Sequence, residues 1–174
     1  MTPHRHFRTL GLAVLGLVLA ANAQAMRRSD LLAAAAKYSP APVVATGREA
    51  LEGALAYVRS HPGADFAVGS GDSMLPLYHD RAVVVTERPA LESLKVGQTV
   101  VFMGSNGVPV AHVLVRETSE GWVTQGLGNR DSDPGYLTDE AYMGVVVKAY
   151  QPTTSPVLAY FAPDRPVGQF FASN

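Results

Sequence analysis

The chain contains no cysteine among its 174 residues, which removes disulfides, thiolate metal sites and cysteine nucleophiles from consideration. Charge is also scarce: 17% of residues are charged and the formal net charge is −1. No basic surplus exists to hold a phosphate backbone, so nucleic acid is not an expected partner. The 47% share of hydrophobic residues beside so little charge excludes an intrinsically disordered chain. The length fits one domain of ordinary size. No internal repeat and no low-complexity linker interrupts it beyond the alanine run at 33–36.

Long apolar runs are missing except at the N-terminus. His4, Arg5, His6 and Arg8 form a basic region, residues 10–21 an apolar core, and Ala23-Gln24-Ala25 a small-x-small site. That order is the layout of a cleaved secretory signal, which predicts a mature chain starting at Met26 and a periplasmic or secreted body. The competing expectation is a retained membrane anchor, because residues 9–26 carry no charge and nearly suffice to span a bilayer. Both place the body outside the cytoplasm.

Two helices are expected next. One covers 29–37 with Ser29 or Asp30 as N-cap and ends before Ser39-Pro40-Ala41-Pro42. The other covers 48–60, where Leu51, Leu55 and Val58 recur at helical spacing and Pro62-Gly63 stops it. From Phe66 the period shortens. Runs at 66–68, 82–86, 99–103, 111–116, 121–125 and 143–150 are rich in β-branched residues and separated by turn signals such as Ser105-Asn106-Gly107. They predict a mainly β body built as a small, coiled antiparallel structure. Beyond Tyr150, Pro152, Pro156, Pro163 and Pro166 break up a tail whose Leu158, Tyr160, Phe161, Phe170 and Phe171 point to extended chain packed on the body. The expected division is therefore 1–25 signal, 26–65 helical segment, 66–150 β-domain and 151–174 Pro-rich tail.

The chemistry centres on Gly69-Ser70-Gly71-Asp72-Ser73-Met74-Leu75-Pro76. Flexible glycines before Ser73 and an apolar Met-Leu-Pro exit behind it would hold a hydroxyl at a rigid bend. The α/β-hydrolase elbow is excluded, because Leu75 stands where its second glycine must be. A serine needs a base within reach and a group that orients the base. His112, in Val110-Ala111-His112-Val113-Leu114-Val115, is the only histidine inside an apolar strand; His61 and His79 border turns. Asp131, Asp133 and Asp139 are candidates to orient it. A turn serine, a core histidine and a solvated acidic turn account for the same residues without chemistry. The acidic loop is no calcium site, since Gly135 comes one position too early for that pattern. Nothing in this set calls for a metal or cofactor.

Taken in order, Ser73-Met74-Leu75-Pro76, the strand bearing His112, and the loop Gly126-Leu127-Gly128-Asn129-Arg130-Asp131-Ser132-Asp133 resemble the type I signal peptidases. The likeness runs from about Val68 to Val147. It is narrower with the branch of the endoplasmic reticulum, archaea and some spore-formers, which uses histidine where most bacterial enzymes use lysine. The segment Leu94-Lys95-Val96-Gly97-Gln98-Thr99-Val100-Val101-Phe102 is similar to a family strand, with Gln98 in place of the usual aspartate.

The resemblance implies a signal-peptidase or LexA-like β-fold with short N-terminal helices, and a serine endopeptidase cutting exported proteins after small residues. Ser73 would be nucleophile and His112 base, with no part for Lys95 or Lys148. By register Asp133 takes the orienting role, and Leu127 replaces the loop aspartate from which that register is counted. Gly71 stands where some relatives place a second oxyanion donor, so the backbone N–H of Ser73 would serve. The partner would be an extended segment of an exported substrate, with Met74, Leu75, Leu77 and Tyr78 available to line shallow pockets, to face a membrane surface, or to fill the core. Two other expectations stand beside this one: self-processing of the LexA kind at residues 33–36 or at Ala45-Thr46-Gly47, and a catalytically silent β-module that binds extended peptides.

Overall fold

The structure, a computed structural model, describes residues 26–153 and the backbone of residues 169–172. The signal or anchor segment 1–25 and most of the Pro-rich tail lie outside the described residues. The elements in chain order are α1 (Arg28–Tyr38), β1 (Val43–Ala45), α2 (Gly47–Ser60), β2 (Asp65–Ser70), β3 (Val83–Glu87), β4 (Thr99–Met103), β5 (Pro109–Thr118), β6 (Gly121–Gln125), β7 (Tyr142–Pro152) and β8 (Gln169–Ala172). The protein is mainly β. One sheet of eight strands runs in the order β6-β5-β4-β7-β3-β2-β8, with β1 set against β7. Neighbours are antiparallel except β1 with β7 and β2 with β8.

All six β-branched runs become strands. β1 and β8 lie outside those six runs, and each forms by adding parallel to an edge already present: Val43 to Ala45 pair with Tyr150 to Pro152, beyond the stretch of β7 that pairs with β4. Register shifts at Val85/Thr86, Val101/Phe102 and Leu114/Arg116 mark bulges. Such bulges bend the strands and raise their twist.

Both helices are present, and the start of α1 differs from expectation. Arg27 is its N-cap with no side-chain cap, because the N–H groups of Asp30 and Leu31 both reach the Arg27 carbonyl. Ser29 instead donates its hydroxyl to Asp30. α2 opens on a capping box that Thr46 and Glu49 complete reciprocally, worth about 1 kcal/mol. Its face of Ala50, Leu51 and Ala54 packs on Phe66, Val68, Val83, Val85 and Tyr150. Each large aliphatic side chain buried there contributes about 1.5–3 kcal/mol.

Alternation along β5 sorts two further clusters. Ala111, Val113 and Val115 join Leu31, Ala35, Met74, Tyr78 and Leu127 on one side. Val110 and Leu114 join Phe102, Trp122, Leu137 and Tyr142 on the other. α1 is tied to this body at its exit. Ser39 donates to the Gly97 carbonyl at 2.8 Å and shares a 2.7 Å contact with the Thr99 hydroxyl, and the Tyr78 hydroxyl donates to the Pro40 carbonyl at 2.8 Å. Gly97 sits under the helix with φ +94°, where a Cβ would stand 2.5 Å from the Ala34 carbonyl oxygen. Gln98, the departure from the family strand, caps this turn by accepting from the Lys95 N–H at 2.7 Å.

Tyr142 is a local mismatch: its hydroxyl is buried and, among the described residues, faces only the backbone of Val145, without a well-formed hydrogen bond. Burial pushes its pKa up to about 12, against the pull of the Arg88 guanidinium. The folded state thus favours the neutral phenol, and that contribution is complete below the unfolded value of pH ~10 and lost as pH rises through the folded one. Tyr142→Phe is expected to leave neutral-pH stability within about 1 kcal/mol of wild type, or to raise it. It should also flatten the alkaline fall of the unfolding midpoint. Thermal unfolding near neutrality and in the alkaline range checks both; a larger neutral-pH loss would mean that the hydroxyl is bonded.

Candidate active site

Ser73 lies in the loop that joins β2 to β3, and that loop is fixed at several points. The Gly71 N–H donates to the Asp80 carboxylate at 2.9 Å. The Leu75 N–H reaches the Asp72 carbonyl, and the N–H groups of Leu77 and Tyr78 reach the Met74 carbonyl. Met74 and Tyr78 are buried at 4% and 2% exposure. They belong to the core, where their side chains anchor the bend from beneath; Leu75 and Leu77 stay partly exposed beside Ser73. Gly71, with φ +96°, supplies a backbone turn that a side chain would strain.

His112 is fully buried in the middle of β5, on the face of Val110 and Leu114. Its ring meets Phe102 edge-on at 6.3 Å between centroids. Its Nε2 lies 3.1 Å from the Ser73 Oγ and its Nδ1 lies 2.6 Å from the Asp133 Oδ2. An acceptor carboxylate at Nδ1 requires the proton to sit there. Nε2 is then left with its lone pair toward the serine hydroxyl.

Asp133 is half-buried, and its Oδ2 also accepts from the Thr124 hydroxyl at 2.7 Å. The backbone repeats the tie, since the Asp133 N–H donates to the Thr124 carbonyl at 2.8 Å. Thr124 is the member that the sequence reading passed over. Its signal was there: in β6 it shares a buried face with Trp122, and it pairs with Leu114, which places it on the same side of the sheet as His112. A buried polar side chain at such a position calls for a partner.

The loop from Gly126 to Asp133 closes over the serine. The Gly128 N–H donates to the Ser73 carbonyl at 2.7 Å and the Asn129 N–H to the Gly126 carbonyl at 3.0 Å. Leu127, where the resemblance has an aspartate, is 1% exposed and packs in the same cluster as Met74. It pins the loop through apolar contact, and a carboxylate at this position would be a buried charge.

The other candidates lie elsewhere. Asp131 is exposed. Asp139 pairs with Arg88 at 3.5 Å, and His61 stacks on Tyr57 with ring centroids 3.8 Å apart. Lys95 is exposed, and Lys148 lies over the rings of Tyr57 and Tyr150. Among the described residues no group of three or more His, Asp and Glu side chains could hold a metal ion. A cavity of about 230 Å³ touches Thr124 and Asp133 and is otherwise walled by residues such as Phe102, Val110, Tyr136 and Leu137. Ser73 does not line it.

Gly126 is the position where the closeness of these parts is most exposed to test. A Cβ there would stand 2.7 Å from the Ser73 carbonyl oxygen, 2.8 Å from the Asn129 amide nitrogen and 2.9 Å from His112 Nε2. Backbone and a fully buried ring cannot give way cheaply, so Gly126→Ala is expected to cost roughly 1–3 kcal/mol. Urea unfolding measures it; a variant as stable as wild type would mean that the loop is not held against the serine and the ring.

No protein-family model matches the chain, and no curated protein does either.

Proposed function

We propose that the chain is an exported serine endopeptidase of the signal-peptidase type, which cuts extended segments after small residues. The observation that carries this reading is the unbroken relay from Ser73 Oγ to His112 Nε2 and from His112 Nδ1 to Asp133 Oδ2, at 3.1 and 2.6 Å. In the reaction, Nε2 takes the hydroxyl proton as Oγ attacks the peptide carbonyl, and Asp133 stabilises the imidazolium that forms. His112 then returns the proton to the departing amine, leaving an acyl-serine. A water enters and attacks the acyl carbon as Nε2 takes its proton; the C–Oγ bond then breaks, Nε2 returns the proton to Ser73 Oγ and the acid leaves. The Ser73 N–H, which bonds to no described residue, is free to meet the oxyanion.

Small-residue specificity and the LexA-like form of the fold are carried over from the family likeness. Export rests on residues 1–25, and among the described residues no helix is long and apolar enough to cross a membrane. Self-processing at the alanine run is the weaker reading: residues 33–36 lie inside α1, and Ala45-Thr46-Gly47 is held by β1 and the capping box. The first is helical, and the second is already paired with β7 and locked into the start of α2, so neither is free to enter a groove. A silent peptide-binding module has no use for a histidine aimed at a serine from a fully buried strand position.

Turnover of a fluorogenic Ala-x-Ala peptide tests the proposal. Ser73→Ala and His112→Ala are each expected to lower kcat by on the order of 10⁴, and Asp133→Asn by on the order of 10² to 10⁴. Asp131→Asn should keep turnover near wild type. Equal turnover in wild type and Ser73→Ala would end the peptidase reading, and a larger loss at Asp131 than at Asp133 would end the assignment of the orienting acid.

A further inference from the structure

β2 delivers the nucleophile: after Ser70 only Gly71 and Asp72 precede Ser73. One edge of β2 pairs with β3. The other is taken by β8, whose residues Gln169 to Ala172 run parallel to it with Cα partners Ala67↔Gln169, Val68↔Phe170, Gly69↔Phe171 and Ser70↔Ala172. β8 also comes up against β5, the strand that holds His112. This short piece of backbone thus lies between the strand that leads to the nucleophile and the strand that carries the base.

An extended peptide reaches a sheet by adding to an open edge, where unpaired N–H and C=O groups supply the hydrogen bonds. The edge of β2 nearest the serine is the place for a substrate strand, and the direction matters as much as the position. β2 runs toward Ser73, so a parallel strand also advances toward it, laying its residues along β2 and bringing its next carbonyl to the loop. That is how the acyl side of a scissile bond has to arrive. β8 has this position and this direction already, and one edge cannot pair with two strands.

We propose that Gln169–Ala172 is a built-in competitor that occupies the peptide groove on β2 and leaves it before another peptide is bound. Its effect on turnover rests on the peptidase reading given above; the occupancy of the groove does not. Because the segment belongs to the same chain, its pairing with β2 is intramolecular and does not weaken on dilution as a free peptide's does. A weak strand can therefore hold the groove against dilute peptides and yield to a segment presented at high local concentration.

The absence of cysteine makes a reversible lock the direct test. Ser70 and Ala172 are paired, and neighbouring strands lie about 4.8 Å apart, within the span a disulfide bridges. In full-length Ser70→Cys/Ala172→Cys, mild oxidation is expected to form an intrachain bridge, seen by mass and by mobility on a non-reducing gel. Turnover of the Ala-x-Ala peptide should fall at least tenfold and return on reduction, so the reduced sample is its own control for folding. The same pair placed in Ser73→Ala should bind a labelled peptide of residues 167–174 when reduced and not when oxidised, by fluorescence anisotropy. Failure of the bridge to form would overturn the pairing, and equal peptide binding in both states would overturn the competition. Peptide binding that is lost on oxidation, with no turnover in either state, would uphold the occupancy and sink the peptidase reading instead.

Discussion

Everything in the site depends on one oxygen. Asp133 Oδ2 accepts from the buried imidazole at 2.6 Å and from the Thr124 hydroxyl at 2.7 Å. A histidine with no exposed surface cannot be steered by solvent, so its tautomer and ring angle follow from the single acceptor placed at Nδ1. Thr124 holds that acceptor from the adjoining strand, on the same face of the sheet, and the Asp133 N–H bonds to the Thr124 carbonyl as well. The base is thereby oriented by sheet register, and the loop that carries Asp133 is bound to the sheet at the point where it matters.

Ser73 is held differently. Ser73 sits on a loop whose rigidity comes from below, through buried Met74 and Tyr78, and from above, through the Gly128 N–H on its carbonyl. The two supports meet in one apolar cluster, since Leu127 packs there with Met74. Leu127 is thus a packing anchor for the loop. The loop's return to the sheet at Asp133 is fixed separately, by the two hydrogen bonds to Thr124.

Much of this was legible in the sequence. β-branched runs bounded by turn signals fixed six strands, and two-residue periodicity put His112 on a buried strand position. Ser73, His112 and Asp133 were named in an order that the fold brings together. What escaped has a common cause. β1 and β8 become strands by adding to an existing edge, and Thr124 matters through its cross-strand neighbour; neither a borrowed partner nor a pairing register is written in a local pattern. The N-cap of α1 was misplaced because a backbone carbonyl did what a side chain was expected to do. Met74 and Tyr78 left their role open for a related reason: an apolar residue beside a nucleophile reads the same whether it faces a substrate or the core, and only burial separates the two.

The division of labour between strand and loop has a consequence for the order of events. His112 and Thr124 lie in strands paired on both sides or capped by a further bridge at Trp122 and Leu137, and such positions open only with the sheet. Ser73 is reached through β2, whose outer partner is a four-residue strand. A four-residue strand at a sheet edge has few ladder bonds to break and opens more readily than the long central strands. Under the proposed reading, β8 can leave the β2 edge that leads to Ser73 without any rearrangement of the His112 to Asp133 contact.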